Sequence, residues 1–225
     1  MSRLQLTPLR VIVHLAGWAP LILLAIDFYR GNLTANPIQA IEQRTGRTAL
    51  LFLLFTLACS PVSDILGWRE LIQYRKAFGN YGFLYASLHV MTFTALDYGF
   101  DLAAIWQDVG KKVYVIVGLI AFLMLFLLAI TSFKGAMNHL GTNWTRLHSL
   151  IYIAIPLVVF HFILVVKGNL ASLQGNILQP LRYGLVVLVL LVLRISPIKL
   201  VLVNLRQSVH GYLRVHLRII RAFHE

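Results

Sequence analysis

The sequence has little cysteine and little charge. Its 225 residues include a single cysteine, Cys59, and only 12% of them are charged. One thiol excludes an internal disulfide, a thiolate-held iron–sulfur cluster and the C-x-x-C-H attachment of covalent heme. A soluble globular chain is typically about 25% charged and about 45–50% apolar, whereas 59% of this chain is apolar. One water-facing core of this size cannot bury so many apolar side chains, so the composition predicts a membrane protein and excludes soluble, disordered and collagen-like chains.

Acidic residues are scarce as well. The chain has 8 Asp and Glu against 20 Lys and Arg, which gives a formal net charge of +12. In an apolar chain this excess favours cytoplasmic loops and anionic lipid headgroups over nucleic acid. We therefore expect membrane lipids, and no nucleic acid, among the partners.

Long apolar runs are abundant. A transmembrane helix needs about 20 mostly apolar residues, and six stretches meet that requirement. We therefore predict an all-α membrane protein, a six-transmembrane-helix bundle that forms one domain over residues 1–225. The predicted spans are residues 11–28, 48–66, 77–96, 113–133, 147–166 and 181–203.

Basic residues are unevenly divided between the two sides of this predicted bundle. Alternate loops carry thirteen Lys and Arg on one side and seven on the other, so the positive-inside rule predicts that both termini are cytoplasmic. In the tail, residues 204–225, apolar residues share one helical face and arginines another. This pattern predicts an amphipathic helix in the headgroup layer, and a solvated basic extension is the alternative.

Two histidines lie deep within predicted spans, where polar groups are costly and usually functional. His89 is in the third span and His161 in the fifth, and at about 1.5 Å per residue they lie roughly 18 and 21 Å above the inner ends of their helices. Two imidazoles at one level on facing helices can ligate a heme iron from both sides. We therefore predict that His89 and His161 are the axial ligands of a b-type heme, and a helix–helix hydrogen-bonding role is the alternative.

A second heme site is suggested by His148, which precedes His161 by 13 residues, or roughly 20 Å. That separation suits electron transfer across a bilayer on two stacked hemes. Thirteen helical steps, however, leave the two side chains roughly 140° apart, unless Pro156 changes the phase of the helix.

The partner of His148 in such a site is not evident from the sequence. The residues 14 and 13 positions before His89 are Arg75 and Lys76, whose protonated side chains have no lone pair for iron. Both suit heme propionates instead. His14, near the inner end of the first span, is an alternative ligand.

Several short motifs resemble a known family. They are HLAG at residues 14–17, NPI at 36–38, TGRTAL at 45–50 and WTRLH at 144–148. Together with level histidines on the third and fifth spans, they resemble the ferric-reductase-like transmembrane domain shared with NADPH oxidases. More specifically, they resemble the MsrQ (formerly YedZ) family, the heme-binding membrane subunits of bacterial methionine-sulfoxide reductase systems, over nearly the whole chain.

The resemblance implies a function. MsrQ proteins bind heme b, with FMN also reported, in the bacterial inner membrane, and His89, His148 and His161 would be the heme histidines here. MsrQ proteins pass electrons from the quinone pool or a cytoplasmic flavin reductase to a periplasmic molybdopterin subunit, MsrP. That subunit reduces methionine sulfoxide in oxidised proteins. NADPH oxidases have a fourth histidine low on the third helix, where this chain has Arg75 and Lys76. The resemblance therefore does not decide whether this chain binds a second heme.

The electron donor and the terminal reaction are expected outside this chain. About 20 residues follow the sixth span, and the sequence contains no G-x-G-x-x-G or phosphate-binding loop. The outer loop of residues 31–47 is a candidate docking surface for a partner, or simply a connector. A transporter or channel without heme is the rival class, but Asp27 and Asp64 fall at helix ends rather than mid-span, and no inverted repeat is evident.

Overall fold

The computed structural model describes residues 8–166, 168–169 and 174–208, and these are almost wholly helical. The α-helices are α1 (Pro8–Tyr29), α2 (Pro37–Leu66), α3 (Arg75–Met91), α4 (Leu102–Lys111), α5 (Val113–Ile130), α6 (Lys134–Leu140), α7 (Thr142–His148), α8 (Ile151–Val165), α9 (Leu178–Val192) and α10 (Ser196–Ser208). A 3-10 helix, Arg69–Tyr74, leads into α3, and a π-helix, Thr92–Asp97, continues it. Two short strands, β1 (Gly168–Asn169) and β2 (Gln174–Gly175), pair in antiparallel fashion.

Several of these helices are long and apolar enough to cross a membrane, which confirms the prediction of an all-α membrane protein. Within the described residues they are α1, α2, α5 and the segment Thr142–Val165 formed by α7 and α8, and the bent pair α9–α10 adds a fifth if it is one span. The six-span count is not reproduced by length and composition. The third predicted span corresponds to α3, which has only 17 residues before the π-helix and is the most polar of the candidates.

The sixth predicted span is not one straight helix. Helix α9 ends at Val192, and α10 leaves it at an angle of 80°. Pro197 lies in the first turn of α10, where proline is tolerated, whereas a straight helix would hold it in the interior. At the bend, the Arg194 guanidinium donates hydrogen bonds to the Leu57 carbonyl at 2.6 Å and to the Tyr152 hydroxyl at 2.8 Å. The predicted tail helix lies in α10 up to residue 208, and its remainder falls outside the described residues.

The second helix begins much earlier than the sequence predicted. Helix α2 starts at Pro37, and the side chain of Asn36 accepts a hydrogen bond from the Gln39 amide at 3.1 Å. Asparagine at the N-cap followed by proline is a strong helix start, and it outweighs the polar character of residues 38–47. The predicted outer loop of residues 31–47 was therefore wrong, because most of it is the first third of α2.

Two helix pairs, α2 with α3 and α5 with α8, form the most extensive contacts between elements. Their shared core contains Leu53, Leu57, Ala154 and Ile155, each at most 1% exposed. Helix α1 is attached to α3 through Tyr85, whose hydroxyl donates to the Gly17 carbonyl at 2.8 Å. The packing of these two pairs decides where the histidines of α3 and α8 meet.

Candidate heme site

The rings of His89 and His161 face each other between α3 and α8. Their centroids are 6.2 Å apart and their planes lie at 78°. The sequence predicted that these two histidines lie at one level, and the structure brings them together. Ligation of a heme by this pair stays a prediction.

Each of the two rings is fixed by a hydrogen bond to a neighbouring helix. His89 Nδ1 lies 3.0 Å from the Glu42 carbonyl oxygen of α2, and His161 Nδ1 lies 2.8 Å from the Tyr114 carbonyl oxygen of α5. A carbonyl can only accept, so each Nδ1 carries the proton and each Nε2 keeps the lone pair. This is the tautomer that a metal-binding imidazole adopts when its other nitrogen is held by the protein.

The donor set and its spacing fit a heme. Two imidazoles that share one metal ion at about 2.0–2.1 Å from each nitrogen have ring centroids roughly 6 Å apart, as observed here. Within the described part of the chain, no group of three or more His, Cys, Asp or Glu could hold a bare metal ion. Two protein ligands are too few for a structural zinc site, but they complete an iron whose other four ligands come from a porphyrin.

The surroundings of His148 are arranged differently. His148 Nε2 lies 3.1 Å from Thr131 Oγ1, and the ring stacks on Trp144 with a centroid distance of 4.1 Å. Thr131 Oγ1 already donates its proton to the Leu127 carbonyl at 2.7 Å, so the His148 nitrogen is the donor. In this arrangement the His148 Nε2 has no lone pair to offer a metal.

The two basic residues predicted to contact heme propionates lie near His148. Lys76 Nζ donates to the Ser132 carbonyl at 2.6 Å, at the end of α5. Arg75 is close enough to interact electrostatically with His148 and with Arg194. The structure thus gathers Arg75, Lys76 and His148 at one end of the bundle, and contact of the basic pair with propionates stays a prediction.

His14, the alternative ligand, lies on the side of α1 that packs on α3. Its Nδ1 is 2.8 Å from the Tyr81 hydroxyl, and the two rings meet edge to face with a centroid distance of 5.9 Å. Gly17 makes this approach possible, since a Cβ there would lie 2.2 Å from Tyr81 Cζ. These contacts are those of a hydrogen-bonding group between helices.

Sequence reasoning missed the groups that hold the histidines. The acceptors for His89 and His161 are backbone carbonyls, which leave no signature in residue type. The Thr131 and Trp144 contacts of His148 were also missed, although the WTRLH motif at residues 144–148 already placed an aromatic ring one helical turn before His148.

A polar cluster of Tyr98, Asp108 and Lys112 lies where α4 meets α5. Asp108 accepts hydrogen bonds from the Tyr98 hydroxyl and from Lys112 Nζ, the latter at 2.5 Å. The Lys112 ammonium, then the Tyr98 hydroxyl, lowers the pKa of Asp108, and the bond to Asp108 raises the pKa of Tyr98. The cluster joins α4 to the start of α5.

Comparison with known proteins places the chain in a family. A family model described as "Ferric reductase like transmembrane component" matches residues 45–159. This segment contains His89 and His148 and ends two residues before His161.

Curated relatives cover most of the chain. The protein-methionine-sulfoxide reductase heme-binding subunit MsrQ of Rhodospirillum rubrum is 37% identical over 189 residues, which are 84% of this chain and 88% of the relative. MsrQ of Caulobacter vibrioides is 35% identical over 86% of this chain and 90% of the relative. MsrQ of Xanthomonas campestris pv. campestris is 41% identical over 72% and 77%, respectively. A match of this extent and identity means that the chain belongs to the ferric-reductase-like transmembrane family and, within it, to the MsrQ group.

Proposed function

We propose that this chain is a transmembrane b-type cytochrome, the electron-transfer subunit of a system that repairs oxidised methionine in periplasmic proteins. The observation that carries the proposal is the facing pair His89 and His161, with centroids 6.2 Å apart and both Nδ1 atoms bonded to carbonyls. The names of the MsrQ relatives, which are heme-binding subunits of methionine-sulfoxide reductases, support it.

In this proposal the protein's residues hold the heme and orient its imidazole ligands, and they take no part in a chemical reaction. The Glu42 and Tyr114 carbonyls fix the two imidazoles so that both Nε2 lone pairs are available to one iron. The heme, when bound, supplies reversible one-electron chemistry. Because the rings are held before the group binds, little reorganisation accompanies a change of charge at the site.

The proposed topology gives the electron a direction. We take the chain as one domain of six spans in the bacterial inner membrane, with α3 and its π-helix as the third span, α9–α10 as the sixth and both termini in the cytoplasm. The histidine pair then lies in the outer half of the bilayer. Electrons from the quinone pool or a cytoplasmic flavin reductase would leave toward a periplasmic molybdopterin subunit of the MsrP type, where the terminal reduction takes place. FMN, Arg75 and Lys76 as propionate contacts, and the amphipathic tail stay predictions within this proposal.

The test of the proposal is the absorption spectrum of the purified protein. We expect the Soret and sharp reduced α-bands of six-coordinate heme b, and we expect His89→Ala and His161→Ala to lose most of the bound heme. His139→Ala is the matched control, because His139 is exposed on α6 and its loss should leave heme content unchanged. A colourless wild-type protein made with heme available would favour the transporter or channel instead, and full heme retention in both site variants would refute the pairing.

The direction of transfer has its own experiment. Reduced protein in proteoliposomes should be reoxidised when a periplasmic molybdopterin partner and an oxidised-methionine protein are both added outside. Omitting either the partner or the methionine sulfoxide should leave the heme reduced. Reoxidation that is independent of the partner would contradict the proposed relay.

A further inference from the structure

The two histidines of the candidate site are held in the same way by two separate helix pairs. His89 on α3 bonds to the carbonyl of residue 42 on α2, and His161 on α8 bonds to the carbonyl of residue 114 on α5; both bonds join residues 47 positions apart. In each pair a glycine follows the accepting residue by four positions, Gly46 in α2 and Gly118 in α5.

Both glycines lie directly against a histidine ring. A Cβ on Gly46 would lie 3.1 Å from His89 Nδ1, and a Cβ on Gly118 would lie 2.8 Å from both Nδ1 and Cε1 of His161. The second distance is too short for any real side chain unless the ring moves. The first is tight enough that the ring must shift by a few tenths of an ångström.

The position of these glycines has a physical reason. In an α-helix the carbonyl of residue i−4 accepts from the amide of residue i, and the side chain of residue i leans back over that same turn. Any side chain at position 46 or 118 would therefore cover the carbonyl that the histidine uses. Glycine leaves the second lone pair of that carbonyl open to a ring whose Nδ1–Cε1 edge approaches the helix.

The repetition extends beyond the glycines. The two histidines, the two glycines and the two accepting residues are each 72 positions apart (89 and 161, 46 and 118, 42 and 114). Three buried residues of α2 have buried counterparts in α5 at the same offset, namely Ala49 with Ala121, Leu53 with Leu125 and Thr56 with Leu128. The helix pairs α2–α3 and α5–α8 are thus equivalent units that run in the same order, and each contributes one imidazole.

We propose that Gly46 and Gly118 are positioning residues for the heme ligands: each leaves open the carbonyl four residues before it, so that the Nδ1–H of one histidine can bond there and its Nε2 faces the iron. This inference rests on the proposed function. It goes beyond it in assigning ligand orientation to two glycines that touch neither iron nor substrate.

The experiment substitutes each glycine in the full-length heme-loaded protein and measures the EPR spectrum and the reduction potential. Imidazole planes near 78° should give the strongly anisotropic low-spin signal of perpendicular ligands. We expect Gly118→Ala to convert much of the heme to a five-coordinate high-spin form. Gly46→Ala should stay six-coordinate with a shifted signal and potential, because its clash is smaller.

Two other glycines give matched controls. Gly79→Ala adds a methyl group to α3 at an ordinary 3.8 Å from Thr56 and should change nothing. Gly82→Ala overpacks the same α2–α3 contact, at 2.9 Å from Leu53 Cδ2, without facing a histidine ring. It should lower the unfolding temperature and leave the EPR signal as in the wild type.

The outcomes separate this inference from the proposed function. A bis-imidazole signal that is unchanged in both Gly46→Ala and Gly118→Ala, or shifted equally in Gly82→Ala, overturns the role of the glycines while the proposed function stands. Loss of the proposed function would appear in the wild type itself, as the absence of a bis-imidazole heme. In that case nitrogen-15 NMR of the heme-free protein still tests the inference, because the Nδ1–H tautomer of His161 should be present in the wild type and lost in Gly118→Ala.

Discussion

The two levels of the bundle, called outer and inner after the proposed topology, carry different chemistry on α3 and on the span formed by α7 and α8. The outer level has His89 and His161, and the residues 13 positions earlier are Lys76 on α3 and His148 at the end of α7, which are also 72 positions apart. Lys76 and His148 bond to adjacent residues at the end of α5, Ser132 and Thr131. The helices therefore bring two side chains together at both levels, but only the outer level offers two imidazoles.

The hydrogen bonds at the two levels differ in which ring nitrogen they use. At the outer level both imidazoles donate through Nδ1 to carbonyls, which leaves Nε2 for a metal. At the inner level His148 donates through Nε2 to Thr131, and the position that corresponds to the second imidazole is occupied by the ammonium of Lys76. The two levels therefore differ in side-chain identity and in which ring nitrogen the protein holds, and under the proposed function these differences favour the outer level as the heme site.

The largest expected effect comes from making the outer level resemble the inner one. His161→Lys replaces one imidazole by an ammonium that has no lone pair, so we expect bound heme to fall on the order of tenfold or more. Pyridine hemochrome analysis of the purified protein measures it. Near-normal heme content would mean that the outer pair is not the ligand set.

The reverse exchange tests whether the inner level lacks only a ligand. Lys76→His with Thr131→Val supplies a second imidazole and removes the group that holds His148 Nε2. We expect the heme content per chain to rise above that of the wild type. Thr131→Val alone is the control and should leave the heme content unchanged. An unchanged value in the double variant would show that the two levels differ in more than these side chains.

Removing His148 should have a small effect. Because its Nε2 is bonded to Thr131, we expect His148→Ala to keep one heme per chain and the wild-type bis-imidazole spectrum. A wild-type content of two hemes that falls to one in this variant would contradict the difference between the two levels, because the inner level would then bind iron as well.

The smallest effect is expected from the polar cluster of Tyr98, Asp108 and Lys112. The pKa of Asp108 is lowered in the folded protein, so its contribution to stability is present above the ordinary carboxyl pKa of about 3.9 and is lost as the pH falls through the lower folded value. Asp108→Asn should remove this pH dependence and lower the unfolding temperature slightly at neutral pH. The heme spectrum should not change, and a changed spectrum would connect the cluster to the outer level.

The sequence predicted the level of the histidines but not what holds them. Counting residues from the inner ends of two helices was enough to place His89 and His161 together, because the helical rise is constant. Their acceptors depend on which faces of α2 and α5 pack against the rings, and backbone carbonyls are the same in every residue. The repeat of 72 positions became visible only when the bonded pairs were known, since few residue types are shared.

The predicted span boundaries were wrong at two places, where the hydropathy of a long run of residues did not reveal a helix end or a helix start. Residues 181–203 are mostly apolar, but Arg194 and Pro197 lie where one helix ends and another begins. Residues 38–47 are polar, but Asn36 and Pro37 start a helix there. In both places local residues such as an N-cap or a proline, rather than the hydropathy pattern, determined where a helix begins or ends.

Under the proposed function, the early start of α2 also affects how a redox partner would reach the heme. A 30-residue helix is about 45 Å long, whereas the hydrocarbon core of a bilayer is about 30 Å thick, so in the proposed topology α2 extends beyond the hydrocarbon core. Glu42, whose carbonyl holds His89, is five residues from the tip of α2, or about 8 Å along its axis. Under the proposed function, a water-soluble acceptor would approach a heme held by His89 without entering the hydrocarbon core, and the tunnelling distance would be set by the shape of a protein–protein contact rather than by membrane thickness.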